Sequence, residues 1–294
     1  MRIATFSIVG FDADKLEWGI GVASRFLAVG AYVPFARAGA GAIATQALAN
    51  LAYGSEGLAL LAGGMSAADT LRALTDADSG RDERQVGVVD ARGEAATYTG
   101  LACMEWAGGI TGPGFAAQGN ILAGPEVVEA MGRAFEAETG ELGQRLFAAL
   151  LAGDSAGGDR RGRQGAALKV VRAGGGYGGF NDVVLDLRVD DHPAPVPELG
   201  RLMALHALYF GSTPAAEKLP LGEEVLRELQ AMARQAGVYL GDIDGQLDAE
   251  TTAALRLLTG TENLEERIDL PRATIDPPAL DFLRERFALG DDPA

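Results

Sequence analysis

The chain opens with short apolar segments separated by turn residues, a pattern typical of β-strands. Residues 2–10 and 18–24 flank a turn at residues 11–14, so this part of the chain predicts a β-hairpin. Two further strand-like segments follow at residues 31–37 and 40–46. The amino-terminal region is therefore expected to build part of a β-sheet.

After these strands the apolar positions change to helical spacing and later return to strand patterns. Ser66 is placed to cap the second predicted helix, and Pro125 to open the third. After the 94–99 segment a glycine-rich stretch runs to Gly124, and no strand is delimited there. Because strands and helices occur in segregated runs, the order predicts an α+β fold with antiparallel sheets. The predicted helices are 55–61, 66–76, 125–138, 141–151 and 196–210, and the predicted strands are 85–90, 94–99, 166–172 and 183–190.

A change in composition at the Gly-Ser-Thr-Pro sequence of residues 211–214 divides the chain into two expected domains, 1–211 and 215–294. A length of 294 residues already exceeds the usual size of one domain. From residue 215 onward there are 17 acidic and eight basic residues, and helical spacing recurs at 221–236, 249–258 and 278–287. We therefore expect a small, acidic, three-helix domain at the carboxyl end.

Charge and composition narrow the function classes. The net charge of −16 argues against nucleic acid or anionic membrane as a partner, because both reward clusters of Lys and Arg. No apolar run reaches the roughly 18 residues needed to span a bilayer. The opening residues do not resemble a secretory signal, and the lone Cys103 cannot form an internal disulfide. A cytoplasmic protein is expected, and a homo-oligomer is left open.

Two short motifs match enzyme signatures but stand in the wrong structural context. The G-x-S-x-G sequence at residues 153–157 follows a predicted helix, whereas a nucleophile elbow follows a strand. The G-x-G-x-x-G sequence at residues 174–179 lies between two predicted strands rather than opening a helix, so it predicts a hairpin turn. With only His192 and His206 available and no Walker A or zinc pattern, neither a cofactor nor a metal is expected.

A set of polar residues near the ends of predicted strands remains as the candidate site. A charged loop at residues 158–164 precedes a buried strand, and its Asp and Arg side chains are suited to holding an anionic or amide substrate through paired hydrogen bonds. The alternative is that this loop is a solvated surface with local ion pairs. The candidates are Thr5, Ser24, Thr45, Gln46, Thr99, Asn120, Asp159, Arg160 and Arg161.

All of these candidates except Thr99 lie within stretches that closely resemble the family called Domain of Unknown Function 1028. The resemblance runs in order from residue 1 to about residue 211. It implies the N-terminal-nucleophile hydrolase fold, a four-layer αββα sandwich. The stretches are residues 5–9, 22–30, 44–47, 84–90, 118–122 and 158–164.

The carboxyl-terminal module resembles the putative peptidoglycan-binding domain often joined to that family. The resemblance is carried by residues 226–245, with Gly237, Tyr239 and Gly241 ahead of an Asp-Gly pair, and by residues 247–255, where Asp248 is placed to cap a helix. It implies a peptidoglycan fragment as a partner. A three-helix adaptor or oligomerisation unit is the alternative, since a fold does not fix a function.

The hydrolase resemblance implies a mechanism without histidine. A Thr at the start of the first strand attacks a carbonyl, and its own α-amino group acts as the base. Thr5 takes that position, with Asn120 or the backbone near Thr45 as oxyanion donors and Asp159 as a further catalytic residue. Residues 1–4 precede Thr5, so its amine is released only by cleavage of the bond between residues 4 and 5 or by a later start. Lys15, Lys169 and Lys218 do not stand where related hydrolases place a lysine beside the nucleophile.

Three functions are compatible with these residues and resemblances. The first is an enzyme that hydrolyses a C–N bond in a small amide or peptide, with Ser24, Thr45, Gln46, Thr99, Arg160 and Arg161 binding the substrate. The second is a protein that binds a small ligand in the same pocket without catalysis. The third is a cell-wall protein that binds peptidoglycan through its carboxyl-terminal module.

Overall fold

The computed structural model describes residues 5–211 and 213–287, so residues 2–4 of the first predicted strand and Ser212 of the predicted linker lie outside the described residues. The chain divides into two compact units between Leu202 and Met203. The domain boundary expected from composition, after residue 211, stays a prediction. Within the described residues, no helix is both long and apolar enough to cross a membrane.

The first unit contains ten strands and the helices that cover them. The strands are β1 (Thr5–Asp12), β2 (Glu17–Ser24), β3 (Pro34–Arg37), β4 (Gly41–Ala47), β5 (Arg84–Asp90), β6 (Ala95–Thr99), β7 (Gly108–Gly112), β8 (Phe115–Asn120), β9 (Gly165–Val171) and β10 (Val183–Val189). The helices are α1 (Ala52–Ala62), α2 (Ala67–Ala77), α3 (Glu126–Ala137), α4 (Leu142–Ser155) and α5 (Pro195–Phe210), the last of which contains the division between the units.

Six of these strands form one antiparallel sheet in the order β10-β9-β2-β1-β8-β7. Its central strands β1 and β2 are almost wholly buried, because one face of the sheet packs against helices α3 and α4 and the other faces a second sheet. Gly19 on β2 permits the close approach of α4: a Cβ there would lie 2.7 Å from Leu146. Glycine in the strand interior is thus explained by packing.

The second sheet has four antiparallel strands in the order β3-β4-β5-β6. Its outer face packs on α1 and α2 through an apolar cluster that includes Ile43, Leu71, Leu74 and Val88. Its inner face meets the six-stranded sheet in a cluster of small and branched side chains. Trp18 crosses this interface, and its Nε1 donates to the Asp90 carbonyl oxygen at 2.9 Å. Antiparallel sheets with helices are therefore observed, as predicted.

The glycine-rich stretch, in which the sequence analysis delimited no strand, contains β7 and β8. Strand β8 lies directly beside β1 and is buried along its whole length. Gly119 is small because the packing leaves no space for a side chain: a Cβ there would lie 2.4 Å from Leu122. Tight packing here outweighs the usual preference of strands for β-branched side chains.

The predicted strand at residues 31–37 is also shorter than expected. A 3₁₀ turn occupies Val29–Ala31, and the strand is confined to Pro34–Arg37. Pro34 has no N–H to donate, and proline in a sheet is confined largely to edge strands such as β3. Both helix starts singled out in the sequence are confirmed. Ser66 caps α2 by accepting a hydrogen bond from the Asp69 N–H, and α3 begins directly after Pro125.

Beyond the end of α5, the described residues of the second unit form three helices, α6 (Glu223–Gln235), α7 (Ala249–Thr261) and α8 (Pro277–Arg286), which confirms the predicted helical region. Asp248 caps α7, as expected, by accepting from the Thr251 N–H at 2.8 Å. The sequence did not reveal a small antiparallel sheet of two-residue strands, because such short strands have no readable periodicity. These strands are β11 (Leu219–Pro220), β12 (Ile268–Asp269) and β13 (Thr274–Ile275), in the order β11-β13-β12.

A buried ion pair secures this small sheet. The Arg267 guanidinium lies 2.9 Å from the Asp276 carboxylate, and Lys218 contacts the second carboxylate oxygen at 2.9 Å. Arg267 and Asp276 are almost completely buried, so either charge without the other would remain desolvated and unpaired. Around this pair the unit builds a core of leucines and other apolar side chains from all three helices.

In the first unit an ion pair between Asp78 and Arg84 joins the end of α2 to the start of β5, and Asn50 links the loop before α1 to the same carboxylate. Asp78 accepts hydrogen bonds from Arg84 Nε at 2.9 Å, Tyr53 Oη at 3.0 Å and Asn50 Nδ2 at 3.2 Å. The hydrogen bond from Arg84, followed by those from Gly80 N, Asn50 and Tyr53, holds the pKa of Asp78 well below its ordinary value of 3.8. Asp78 therefore stabilises the folded state in its ionised form.

We expect Asp78→Asn to lower the free energy of unfolding of the first unit by about 3 kcal/mol at pH 7, because Arg84 loses its largely buried partner. The folded-state pKa is depressed, so the contribution is present above pH 3.8 and is lost as the pH falls further. Urea titrations at pH 7 and at acid pH measure both effects. Asp76→Asn, at an exposed position nearby, is the matched control; equal midpoints for the two variants at pH 7 would refute the role of Asp78.

Candidate functional site

A network of buried polar side chains lies between the two sheets. Ser7 Oγ donates to Gln46 Oε1 at 2.7 Å and accepts from Gln118 Nε2 at 2.7 Å. Gln46 Nε2 donates to Gln85 Oε1 at 2.9 Å, and Asn120 Nδ2 donates to the same oxygen at 2.9 Å. None of these five side chains is more than 2% exposed. Such groups are stable inside a protein only when they are hydrogen-bonded, and here the sheets bond to each other through them.

Strand register brings these side chains together. Ser7 on β1 lies opposite Gln118 on β8, and Gln46 on β4 lies opposite Gln85 on β5. Because strand side chains alternate between faces, Asn120 projects from the same face of β8 as Gln118. The network therefore links the central strands of one sheet to the central strands of the other.

Gln85 is the centre of this network. Its Nε2 donates to the Gly119 carbonyl oxygen at 2.7 Å and to Thr99 Oγ1 at 2.9 Å, while its Oε1 accepts from Gln46 and Asn120. The predicted residues Gln46, Thr99 and Asn120 are thus brought into contact through a residue that was not singled out. The signal in the sequence was a glutamine directly before the apolar run of residues 86–89.

Thr5 begins β1 beside this network. Its carbonyl oxygen accepts from Gln46 Nε2 at 3.2 Å, and its hydroxyl donates to Ser24 Oγ at 3.0 Å. Across the sheet Thr5 pairs with Asn120. The first strand thus brings three predicted residues, Thr5, Ser24 and Asn120, to one end of the six-stranded sheet.

Asn120 also lines a narrow cleft between the strand ends. The backbone is left-handed at Ala47, which follows Gln46, and at Ile121, which follows Asn120, with φ values of 66° and 54°. Residues other than glycine adopt this conformation at a cost of about 1–3 kcal/mol, and such positions are concentrated at functional sites. The Asn120 amide uses one of its two N–H groups on Gln85, so its second N–H has no hydrogen-bond partner among the described residues.

A larger cavity of about 360 Å³ is lined in part by Ser24. This volume is within the range of small-molecule sites. Its apolar wall includes Phe6 and Ala23, and its polar wall comes from the loop after α4. It is lined by Phe6, Ala23, Ser24, Ala123, Asp154, Gly157, Asp159, Arg160, Gly162, Arg163 and Pro195.

Asp159 holds the charged loop in place at this cavity. Its side chain is 1% exposed and accepts from the Arg25 and Arg161 N–H groups at 2.9 Å. The Arg161 guanidinium lies 2.8 Å from the same carboxylate. Arg160, by contrast, is exposed, and its Nη2 donates to the Glu105 carbonyl oxygen at 3.3 Å. The predicted pair Arg160 and Arg161 therefore has two different environments.

Thr45 is not brought to this group. Its hydroxyl donates to the Asn50 carbonyl oxygen at 3.2 Å, and its backbone N–H donates to the Val33 carbonyl oxygen at 3.2 Å. The two motifs set aside in the sequence also keep their structural interpretation. Gly153 and Ser155 lie in the last turn of α4, and residues 174–179 connect the antiparallel strands β9 and β10. Nowhere in residues 5–211 and 213–287 do three His, Cys, Asp or Glu side chains group as metal ligands.

The chain matches two known family models. A model described as "Family of unknown function (DUF1028)" matches residues 5–199, about two thirds of the chain. The chain belongs to the DUF1028 family. Residues 209–283 match a second model, described as "Putative peptidoglycan binding domain".

A solved structure supports membership of DUF1028. The crystal structure of a Silicibacter pomeroyi protein, whose title names the same family, is 31% identical in sequence and superposes with a TM-score of 0.64. The match covers 71% of this chain and 91% of that one. No curated protein matches the chain.

We expect Gln85→Leu to lower the free energy of unfolding of the DUF1028 unit by about 3 kcal/mol, because amide groups of Gln46 and Asn120 and the Gly119 carbonyl lose buried partners. Urea denaturation followed by fluorescence measures the change. Glu136→Leu, a polar-to-leucine replacement at an exposed position on α3 of the same unit, is the control and is expected to shift stability by less than about 0.5 kcal/mol. Similar losses for both variants would contradict a structural role for the network.

Proposed function

We propose that the DUF1028 unit is an amide hydrolase of the N-terminal-nucleophile type, with Thr5 as its nucleophile. The observation that carries this proposal is the position of the Thr5 hydroxyl. It lies at the start of a central strand and 3.0 Å from Ser24 Oγ, which lines a cavity of ligand size. Two antiparallel sheets with helices on both outer faces agree with a four-layer αββα sandwich of that hydrolase class.

The proposed reaction uses groups of the chain alone. The Thr5 α-amine accepts the hydroxyl proton as Oγ1 attacks the carbonyl carbon of the substrate amide. The resulting oxyanion accepts a hydrogen bond from the second N–H of Asn120. Collapse of the tetrahedral intermediate breaks the C–N bond of the substrate, and the leaving amine takes the proton held by the Thr5 α-amine. Water then hydrolyses the ester on Thr5 and restores the hydroxyl. Ser24 orients the nucleophile, and Gln46 holds the Thr5 carbonyl oxygen.

This proposal requires an unblocked amine on Thr5. Residues 1–4 precede it in the sequence and lie outside the described residues. The active form is therefore proposed to begin at Thr5, either after cleavage of the preceding peptide bond or from a later start. In a form that retains residues 1–4 the α-nitrogen is an amide and accepts no proton, so that form is expected to be inactive.

Intact mass spectrometry and acylation test the requirement together. A β-lactone that acylates nucleophilic hydroxyls is expected to add its whole mass to a chain in which Met directly precedes Thr5, since removal of that Met frees the amine. The full chain is expected to react slower by about 10³-fold or more. Protein from the native host is expected to lack residues 1–4.

Two substitutions make this test specific. Thr5→Ala is expected to abolish the adduct, and Thr139→Ala, at an exposed threonine, is expected to leave it unchanged. Equal labelling of the Thr5→Ala chain, or native protein that always retains residues 1–4, would remove Thr5 as the nucleophile. The DUF1028 unit would then be a small-ligand-binding protein on the same fold.

For the second unit we propose binding to peptidoglycan, supported by the family match over residues 209–283. Its acidic composition makes long-range attraction to an anionic wall polymer unfavourable, so contacts to neutral sugar and peptide groups are expected to carry the affinity.

Co-sedimentation with purified sacculi tests this second proposal. The full chain is expected to pellet with sacculi but not with cellulose, and added salt is expected to preserve or strengthen binding by screening repulsion. Protein that stays in the supernatant at every salt concentration would leave the unit as an adaptor or oligomerisation module.

A further inference from the structure

Four arginines lie in or beside the lining of the cavity at Ser24, and two of them, Arg160 and Arg163, line it directly. The loop after α4 supplies Arg160, Arg161 and Arg163, and the end of β2 leads directly into Arg25. Only the carboxylates of Asp154 and Asp159 belong to this set. With Arg25 and Arg161 beside the lining, arginines outnumber aspartates here by four to two in a chain of net charge −16, which favours an anionic ligand.

Two of the four arginines are neutralised within the loop. Arg161 contacts Asp159 at 2.8 Å, and Arg163 Nε contacts Asp154 at 2.7 Å. Asp159 also accepts the Arg25 and Arg161 backbone N–H groups, so its oxygens are engaged in fixing the backbone. These pairs shape the loop and add no net charge to the cavity.

The other two arginines have no carboxylate partner among the described residues. Arg160 lines the cavity, and its guanidinium donates only to the Glu105 carbonyl oxygen. The Arg25 guanidinium lies beside Gly162, a cavity-lining residue, where a Cβ would lie 3.3 Å from Arg25 Nη1. Both side chains are exposed, so neither charge is needed to complete the folded core.

Other residues of the cavity lining form an apolar wall. Phe6, Ala23, Ala123 and Pro195 contribute to it, and Ser24, which also lines the cavity, accepts the hydrogen bond from Thr5 Oγ1. A ligand that fits both walls has an anionic group, an apolar body and a polar group facing Ser24. A guanidinium binds planar carboxylates through two parallel hydrogen bonds, which makes a carboxylate the matching anion.

We propose that the substrate is a small amide bearing a carboxylate, of the N-acyl amino acid or dipeptide class, and that Arg25 and Arg160 bind its carboxylate. This inference rests on the proposed hydrolase function, because it places the scissile amide towards Ser24 and Thr5. Arg160 was expected to bind substrate from the sequence; Arg25 joins it, while Arg161 acts as a positioning residue through Asp159.

A matched pair of probes tests the carboxylate directly. N-acetyl-L-alanine and N-acetyl-L-alaninamide differ only in a carboxylate against a carboxamide. Each is titrated into the full chain up to about 50 mM, and the arginine Nε–Hε signals are followed by NMR. The carboxylate is expected to bind at least about tenfold more tightly than the carboxamide, and more weakly as salt is raised.

Single substitutions locate the site. Arg25→Gln and Arg160→Gln are each expected to weaken N-acetyl-L-alanine binding by about tenfold or more, whereas Arg133→Gln, at an exposed position on α3, is expected to have no effect. Equal affinity for the two probes, no binding of the carboxylate up to the highest concentration, or insensitivity to both cavity substitutions would overturn the inference.

β-Lactone labelling separates this inference from the hydrolase proposal. Labelling of Thr5 without a carboxylate preference would retain the nucleophile and reject the anion site. A carboxylate preference without labelling would retain the anion site formed by Arg25 and Arg160 and reject its role in hydrolysis. The ligand would then not be a substrate.

Discussion

The structure of the first unit depends on hydrogen bonding between polar groups sealed between two sheets. Gln46, Gln85, Gln118 and Asn120 are removed from water, so each must meet a partner or destabilise the fold. Apolar side chains permit several registers, whereas an amide network permits very few, because a slip of one residue turns each amide to the other face. The same network holds the carbonyl group of Thr5, so the geometry of the candidate nucleophile follows from the packing of the domain.

Periodicity and helix-start residues were sufficient to predict most of the architecture. The β1–β2 hairpin, the cap at Ser66 and the cap at Asp248 follow from local chemistry that operates within a few residues. Strand β8 could not be predicted in this way. Its Ala and Gly residues are dictated by neighbours distant in sequence. Asn120 was expected near a strand end, but the partners that bond to Gln118 and Asn120, which are Ser7 and Gln85, lie far away in the sequence.

The candidate site shows the same division between local and distant information. Thr5, Ser24 and Asn120 were predicted from their places at strand ends, and the fold brings all three together. Thr45 has the same sequence signal, but its hydroxyl faces the loop at Asn50, because adjacent residues on a strand face opposite sides of the sheet. The difference between Arg160 and Arg161 depends on whether each side chain reaches Asp159, which no spacing rule supplies.

The left-handed backbone at Ala47 and Ile121 has a consequence for how this family can change over time. Both residues terminate strands that carry network amides, and both hold a conformation that glycine would adopt without steric conflict. Replacement by glycine would relieve local strain yet let the cleft wall sample several geometries. Selection for thermal stability alone would favour glycine at both positions. Relatives that keep a residue with a Cβ there would therefore be those in which selection maintains a rigid cleft at the expense of stability.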